Sequence, residues 1–561
     1  MVYNLSFWHQ MLSQPDISIS GNAGFIFATG IVLTGIFFTF FNLCGYRYIF
    51  KTVIIFTFLL AATISYYSLK YGIVIDYNMI SNICETDIQE AKELFSLGFA
   101  LHLLIFAGLP ILLLSRIEIT WKKPLRQIAI NLLTIGGTLL IVGATIYLNY
   151  SSFALIGRQH RYLRMYINPT YAIYSVEKYF RINRVQTQTL KPIAEDAVLT
   201  ENKTAGKRKL LGIFVVGESA RARNFSLNGY NRDTNPKLAQ ENVISFTQAY
   251  SSGTSTAEAL PCMFSHLTRK HYSIKKAEGY ENVLDILQRL GIDIFWRDNN
   301  SSSKGVARRV KYEKLAAAVL PEAEKLGLAR DGEYFDEALL YNLQEFIDHS
   351  DHDNLLIVLH QKGSHGPAYY KRHPENFSRF TPEYCCNTPQ NSILEELTNA
   401  YDNTILYTDY FLAQTIEFLK KNAAEYDTFL FYMSDHGESL GENGIYLHSL
   451  PYFMAPDEQK HIAAIAWLSE STARNHHIDI SALKQCRNLP ISHDYIFHSL
   501  LGIFNVQSEI YDRKLDLLHP SYNLADTTLY SLIKPLKITS PRQNHGATEL
   551  VSVPSSRLPT I

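Results

Sequence analysis

Positive charge is missing from residues 1–46, and charge of either sign is missing from 21–46, 52–69, 96–115 and 127–157. A buried helix of a soluble bundle keeps a polar face, and these stretches have none. About 20 apolar residues carry a helix across a bilayer. The pattern therefore predicts four membrane spans, at 23–43, 50–69, 96–115 and 127–149. The first apolar run lacks a basic flank and follows a polar stretch, which argues against a cleavable signal peptide. Other shortages narrow the class further. Lys and Arg total 52 against 53 Asp and Glu, a net charge of −1, so the basic face of a nucleic-acid-binding protein is not expected. Cysteine is scarce, with six in 561 residues: Cys44, Cys84, Cys262, Cys385, Cys386 and Cys486. None forms a CxxC pair, which removes dithiol redox and zinc-ribbon readings. Cys385 and Cys386 are neighbours, and a bond between neighbours is strained. There is no internal repeat and no low-complexity segment.

The charges that are present orient the chain. The 44–51 turn carries Arg47 and Lys51, and the 116–126 loop carries Arg116, Lys122, Lys123 and Arg126. The 70–95 loop is acidic, with Asp76, Glu85, Asp87, Glu90 and Glu93. The positive-inside rule places the two basic turns in the cytoplasm, and the 70–95 loop and everything after residue 150 outside. The expected domains are 1–157 in the membrane, 158–209 as interfacial helix and linker, 210–535 as an exported catalytic domain, and 536–561 as a tail. The stretch HRYLRMYINPTYAIYSVEKYF is rich in Tyr and Arg, which suit a headgroup layer.

From residue 210 onward, short apolar runs alternate with helical patterns. Strands are expected at 210–216, 292–296, 355–360, 428–433 and 462–468, and helices at 281–290, 334–348 and 394–421. Continuous apolar strands alternating with helices predict an α/β domain whose mostly parallel sheet is covered by helices on both faces. Sites in such sheets lie outside the carboxyl ends of the strands. Four of the strands are followed by polar loops: Gly217-Glu218, then DNNSSSKG with Asn300 and Lys304, then GSHGP with His365, then SDHGESLGENGIYLH with Asp435, His436 and His448. Four such loops at one edge point to a metal or phosphate site. Carboxylates with an imidazole, here Glu218, Asp435 and His436, suit Zn²⁺ and are compatible with Mn²⁺. Gly437 and Gly441 favour close backbone packing around that site. In YSSGTSTAEALPCMFSHL, Thr254, Ser255 or Thr256 opens a helix, where an anionic oxygen or a phosphate is favoured. A metal would activate such a hydroxyl as a nucleophile.

In order along the chain, GESARARNFSLNGYNRDTNP, GTSTAEALPCMFS, DNNSSSKG, GSHGP and SDHGESLGENGIYLH resemble the bacterial phosphoethanolamine transferases. The closest resemblance is to the subgroup that modifies lipid A, which includes polymyxin-resistance enzymes. The resemblance implies an alkaline-phosphatase/sulfatase-like domain behind a helical transmembrane domain in the bacterial inner membrane, with the catalytic domain in the periplasm. It implies Thr256 as nucleophile and zinc ligands Glu218, Thr256, Asp435 and His436, with a second, transient zinc near His365 and His448. The substrate-side positions would be Asn300, Ser301, Lys304, His365 and His448. NMISNICETDIQEA resembles the segment lining the lipid entrance, which points to Asn82, Thr86 and Glu90. The implied reaction moves phosphoethanolamine from phosphatidylethanolamine to a lipid A phosphate through a threonine ester, with Lys304 stabilising phosphoryl charge and His448 or His365 protonating the leaving group. Other acceptors, such as a core sugar or periplasmic glucan, and plain hydrolysis are the alternatives. The sequence departs from the family in two respects. The family's first of five spans has no counterpart before YNLSFW. Family cysteines are also replaced by Ser252, Ser303 and Ala307.

Overall fold

The structure is a computed structural model that describes residues 2–85, 88–183, 190–200, 208–316, 320–384 and 393–519, leaving out the side chains of 85–90 and 183. Thr86, the Glu90 side chain, Cys385, Cys386 and the expected tail 536–561 lie outside the described residues. Four helices are long and apolar enough to cross a membrane: α1 (Ala23–Leu43), α2 (Phe50–Tyr71), α4 (Leu97–Arg116) and α5 (Pro124–Leu148), with the short α3 (Tyr77–Glu85) between α2 and α4. Their bounds follow the predicted spans to within a few residues. Leu133 and Leu140 on α5 are 78% and 76% exposed, as expected of side chains facing lipid tails. Helix α4 carries a π turn at Leu104–Gly108. Pro110 follows it, and a proline has no N–H for the carbonyl four residues back. The carbonyl of Phe106 is instead met by the Tyr3 hydroxyl at 2.6 Å. The first residues are less polar in effect than their sequence reads. A helix at Leu5–Leu12 buries Phe7 and Met11 in a cluster with Ile156, Tyr166 and Leu450.

After α6 (Thr170–Asn183), the chain forms the expected α/β domain. The seven strands of its main sheet are β1 (Lys209–Gly217), β2 (Ile244–Ser245), β3 (Asp293–Asp298), β4 (Lys311–Lys314), β5 (Asn354–His360), β6 (Tyr426–Ser434) and β7 (Ala464–Leu468). They lie in the order β2-β7-β6-β1-β5-β3-β4. The five from β6 to β4 are parallel, and β7 runs antiparallel to β6. The run expected at 462–468 thus joins this sheet over Ala464–Leu468, against the parallel direction and with β2 outside it, while Ile462 pairs with Ala249 in a separate small sheet. Strands β6, β1, β5 and β3 are adjacent, so their four polar loops emerge side by side.

Alternation along β1 feeds two cores. Leu210, Phe214 and Val216 enter one face, and Leu211, Ile213 and Val215 the other. Helix α9 (Leu394–Asn422) covers the second face with Leu397, Tyr401, Leu412 and Ile416, while α7 (Thr256–Met263), α8 (Val283–Arg289) and α10 (Asp494–Ile503) cover the first. Helix α8 starts in a capping box between Asn282 and Asp285. The helix expected over 334–348 is shorter, Leu343–Asp348, because Asn342 takes a left-handed φ of 50° that ends the preceding 3-10 turn. Part of the stretch read as linker is ordered: Val198–Leu199 pairs with Val506–Gln507. At Gly212 a Cβ would meet Phe429 Cζ at 2.1 Å, so the Phe429 ring from the neighbouring strand occupies the space a side chain would need. Gly212→Ala is expected to cost about 1–3 kcal/mol through overpacking. A thermal melt of the purified variant checks this, and an unchanged Tm would refute it.

Candidate metal centre and nucleophile

At the carboxyl end of β1, Glu218 and Ser219 turn away from the sheet, with Ser219 at φ 57°. At the end of β6, Asp435 and His436 do the same, and the Asp435 N–H donates to the Gly217 carbonyl at 2.9 Å. One ligand atom each from Glu218, Asp435 and His436 lies within 4.8 Å of the others, and all three residues are fully buried. His436 Nδ1 faces the Gly437 carbonyl at 2.9 Å. A carbonyl only accepts, so Nδ1 carries the proton and Nε2 offers its lone pair to the centre. Nε2 lies 3.4 Å from both Glu218 Oε1 and Asp435 Oδ2. Asp435 Oδ2 is buried with no hydrogen-bond partner. Burial, and then the nearby Glu218 carboxylate, raise the Asp435 carboxyl to about 6. Burial pushes Glu218 in the same direction, but the imidazoles of His436, His365 and His448 outweigh it and hold Glu218 below the usual carboxylate range. Two buried carboxylates, an oriented imidazole and an orphaned oxygen fit a zinc-type cation.

Three hydroxyls competed for the nucleophile position, and their surroundings differ. Thr254 Oγ1 donates to the Leu450 carbonyl at 2.5 Å. Ser255 is the residue before α7, and its buried hydroxyl makes no cap bond. Thr256 Oγ1 donates to Glu218 Oε2 at 3.1 Å and lies 3.4 Å from His436 Nε2. Only Thr256 of the three joins the ligand group, and it does so at the N-terminal turn of α7.

The substrate-side candidates are arranged around this centre. Asn300 is buried after β3 and donates from Nδ2 to Glu218 Oε2 at 2.8 Å and to the Gln361 carbonyl at 3.0 Å. Ser301 follows it, and Lys304 Nζ donates to Ser301 Oγ at 3.0 Å. The rings of His448 and His436 are 4.2 Å apart, and those of His365 and His448 are 5.6 Å apart. A second candidate ligand group joins His436, Glu438 and His448, and it does not include His365. Asn82 on α3 donates to Ser449 Oγ at 2.7 Å, and Asn78 to Glu258 Oε2 at 3.2 Å. The loop between the second and third spans therefore contacts helix α7 and the His448 loop. Gly437 explains its own identity: a Cβ there would lie 2.1 Å from the Glu458 carbonyl.

Sequence reasoning missed two positioning residues. Glu438 is fully buried, accepts from His448 Nδ1 at 2.8 Å and from the Tyr369 hydroxyl at 2.7 Å. Burial opposes charge on His448, but Glu438 prevails and raises it to about 9. The signal was a third acid two residues after His436 in the same loop. His493 leaves no such trace, being distant in sequence. Its Nδ1 accepts from the Ser252 N–H at 3.1 Å, and its Nε2 donates to the Ser434 carbonyl at 2.9 Å. It thereby ties the loop before Thr256 to the strand before Asp435. Burial, reinforced by the His436 imidazole, lowers it to about 4. His493→Ala is expected to cost about 2–4 kcal/mol, from a cavity and an orphaned Ser252 N–H. Because the folded value lies below the unfolded one of about 6.5, the unfolded chain binds more protons there. This contribution therefore weakens as pH falls from 6.5 towards 4, and the gap between wild type and variant should narrow by up to about 3 kcal/mol. Denaturant titrations at pH 7, 5.5 and 4 read the gap; a constant gap would refute the assignment.

Comparison with known proteins bears on the family and the fold. A family model described as Sulfatase matches residues 211–506, and one described as Phosphoethanolamine transferase EptA/EptB matches 33–183. Phosphoethanolamine transferase EptA of Salmonella typhimurium is 36% identical over 525 residues, covering 93% of this chain and 95% of that protein. The chain belongs to the phosphoethanolamine transferase family. Phosphatidylethanolamine transferase Mcr-1 of Escherichia coli is 38% identical over 517 residues, covering 90% of this chain and 93% of that protein. Among solved structures, the integral membrane lipooligosaccharide phosphoethanolamine transferase A of Neisseria meningitidis superposes with a TM-score of 0.86 at 32% identity, covering 92% of this chain and 96% of that one. The C-terminal periplasmic domain of EptC from Campylobacter jejuni gives a TM-score of 0.52 at 43% identity, covering 59% of this chain and 98% of that one. The helical membrane part and the sulfatase-like α/β domain are thus those of this transferase family. Among the described residues, Cys44, Cys84 and Cys262 are free thiols.

Proposed function

We propose that the protein transfers phosphoethanolamine from phosphatidylethanolamine to a phosphate of lipid A, at the outer face of the bacterial inner membrane, through an ester on Thr256. The observation that carries this reading is the Thr256 hydroxyl set 3.1 Å from Glu218 and 3.4 Å from His436, inside a group able to hold zinc. Membership of the family supplies the group transferred. The contacts of Asn78 and Asn82 give a physical route for a lipid headgroup, because they join the membrane loop to the same helix and loop.

Glu218, Thr256, Asp435 and His436 would hold one zinc, which when bound neutralises the two carboxylates and acidifies the threonine hydroxyl. The Thr256 oxygen attacks the donor phosphorus, and the bond from phosphorus to the diacylglycerol oxygen breaks. His448 delivers the proton to that oxygen, since Glu438 fixes its Nδ1 and so orients the ring. Asn300 holds Glu218 in place, and Lys304, on the same loop, offers positive charge to the phosphoryl oxygens. An acceptor phosphate oxygen then attacks the same phosphorus and returns the Thr256 hydroxyl. Addition of phosphoethanolamine removes surface negative charge, which fits resistance to cationic peptides such as polymyxin.

The purified full-length protein, placed in phosphatidylethanolamine vesicles with lipid A, is expected to release diacylglycerol and add one phosphoethanolamine to lipid A. Diacylglycerol with free phosphoethanolamine would make it a hydrolase. Transfer only to added glycans would move the acceptor to a sugar.

A further inference from the structure

His448 sits in a strained stretch of backbone. Leu447 and Ser449, on either side of it, have φ of 64° and 73°, a region that residues with a side chain avoid. The stretch leaves a two-stranded ladder at the pair Ser439–Leu447. Such a conformation persists only where its surroundings hold it. On Ser449, Asn82 Nδ2 reaches the hydroxyl at 2.7 Å, and the backbone N–H donates to the Thr254 carbonyl at 2.7 Å. Around His448 itself the hold is Gln459. This residue closes the 3-10 turn Asp457–Gln459 and is fully buried. Its Nε2 donates to the Leu447 carbonyl and to Ser439 Oγ, each at 3.0 Å, and its Oε1 accepts from the Leu450 N–H at 3.3 Å. One amide thus spans His448, tied to the backbone before it and after it. The Gln459 carbonyl also accepts from the Gly437 N–H at 3.1 Å, next to His436.

The amide is used in both senses. The Leu447 carbonyl only accepts and the Leu450 N–H only donates, so one side chain serves both only by donating at one end and accepting at the other. A carboxylate would turn a lone pair on the carbonyl, and an apolar side chain would leave both backbone groups unpaired. Glu438 fixes the His448 ring through Nδ1, but it does not hold the backbone that carries the ring. We infer that Gln459 is a positioning residue for proton delivery, holding the left-handed backbone at Leu447 and Ser449 so that His448 is presented to the Thr256 centre. The inference rests on His448 as the proton donor of the proposed reaction, and it adds what keeps that donor in place. In that step the bond from Thr256 Oγ1 to phosphorus forms and the bond from phosphorus to the diacylglycerol oxygen breaks. The electron pair left on that oxygen takes the His448 proton. A displaced His448 therefore costs most where the leaving oxygen is strongly basic and least where it leaves as a stable anion.

The test compares two donors on the zinc-loaded, full-length protein. Phosphatidylethanolamine expels a basic diacylglycerol oxygen, whereas p-nitrophenyl phosphoethanolamine expels nitrophenolate, which leaves without a proton. Single-turnover release of each product is followed in wild type, Gln459→Glu, Gln459→Met and His448→Gln. Glutamate keeps the shape of the side chain and methionine its approximate volume, so the two variants disturb packing differently. Both Gln459 variants should release diacylglycerol on the order of 10–100-fold more slowly, part of the roughly 10²–10⁴-fold that a general acid supplies. Nitrophenolate release and zinc content should stay within about twofold of wild type, since neither depends on the proton. Equal losses on both donors would make Gln459 a support of the whole centre and overturn the inference. An unchanged diacylglycerol rate would also overturn it, as would loss of zinc, which would move its action to His436 through Gly437. The His448→Gln variant separates this inference from the reaction beneath it. If that variant slows both donors alike, His448 does not deliver the proton, and the proposed step falls together with the inference. If it slows only the lipid donor while the Gln459 variants slow neither, the inference alone falls.

Discussion

Thr256→Ala is expected to abolish transfer while leaving the protein folded. The side chain loses its only nucleophilic atom, and the rate should fall on the order of 10³-fold or more, as removal of a covalent nucleophile generally does. Little else depends on that hydroxyl. Its bonds go to Glu218 and His436, both of which have other partners: Glu218 keeps Ser219 Oγ at 2.7 Å and Asn300 at 2.8 Å, and His436 keeps the Gly437 carbonyl. Alanine is also a good first residue for α7, so the melting temperature should move little. The measurement is a lipid A mass spectrum from a Gram-negative host lacking its own transferases, beside an immunoblot of the membrane fraction. A phosphoethanolamine increment that survives in the variant would remove Thr256 from the reaction. An increment lost from both, with the protein present and zinc bound, would move the acceptor elsewhere. Thr254→Val is the control for position, because the Thr254 hydroxyl is engaged by Leu450 and should not support chemistry.

The second large effect is expected from Asp435→Asn. Asp435 faces Glu218 in a fully buried pocket, and its Oδ2 has no hydrogen-bond partner. An amide there supplies a weaker ligand and one negative charge fewer. Zinc affinity should fall on the order of 100-fold or more, and transfer with it. The metal-free proteins should differ in the opposite sense. Removing one of two facing carboxylates relieves their repulsion, so the metal-free variant should melt above the metal-free wild type. Added zinc should raise wild-type stability by about 2.7 kcal/mol at a concentration 100 times its Kd, and the variant by much less. Zinc content by elemental analysis and melts with and without chelator read both effects. A variant that retains stoichiometric zinc would exclude Asp435 as a ligand.

Much of this arrangement was legible in the residues themselves. The spans were legible because a bilayer demands long stretches without charge, which composition alone reveals. Glu218, Asp435, His436 and Asn300 stood out because each follows an apolar strand, and parallel strands deliver such residues to one edge. The choice among Thr254, Ser255 and Thr256 was not legible from spacing. Three adjacent hydroxyls at a helix start are equivalent until the turn is built, and then only one faces Glu218. The helix expected over 334–348 failed at Asn342, where a left-handed residue interrupts an otherwise helical pattern. The first 20 residues looked merely polar, yet Phe7 and Met11 find an apolar seat that joins Phe25 and Leu33 of the first span to Ile156, Tyr166 and Leu450.

The sequence by itself determined the division into membrane and α/β parts, the edge of the sheet where chemistry gathers, and the types of residue gathered there. These follow from local periodicity and from the burial that each period requires. The tertiary structure decided what depends on distances between remote segments. It set Glu438 behind His448, His493 across from Ser252 and Asn82 against Ser449. No local pattern encodes such pairs, because the burial and hydrogen bonding that define them exist only once the chain has closed on itself.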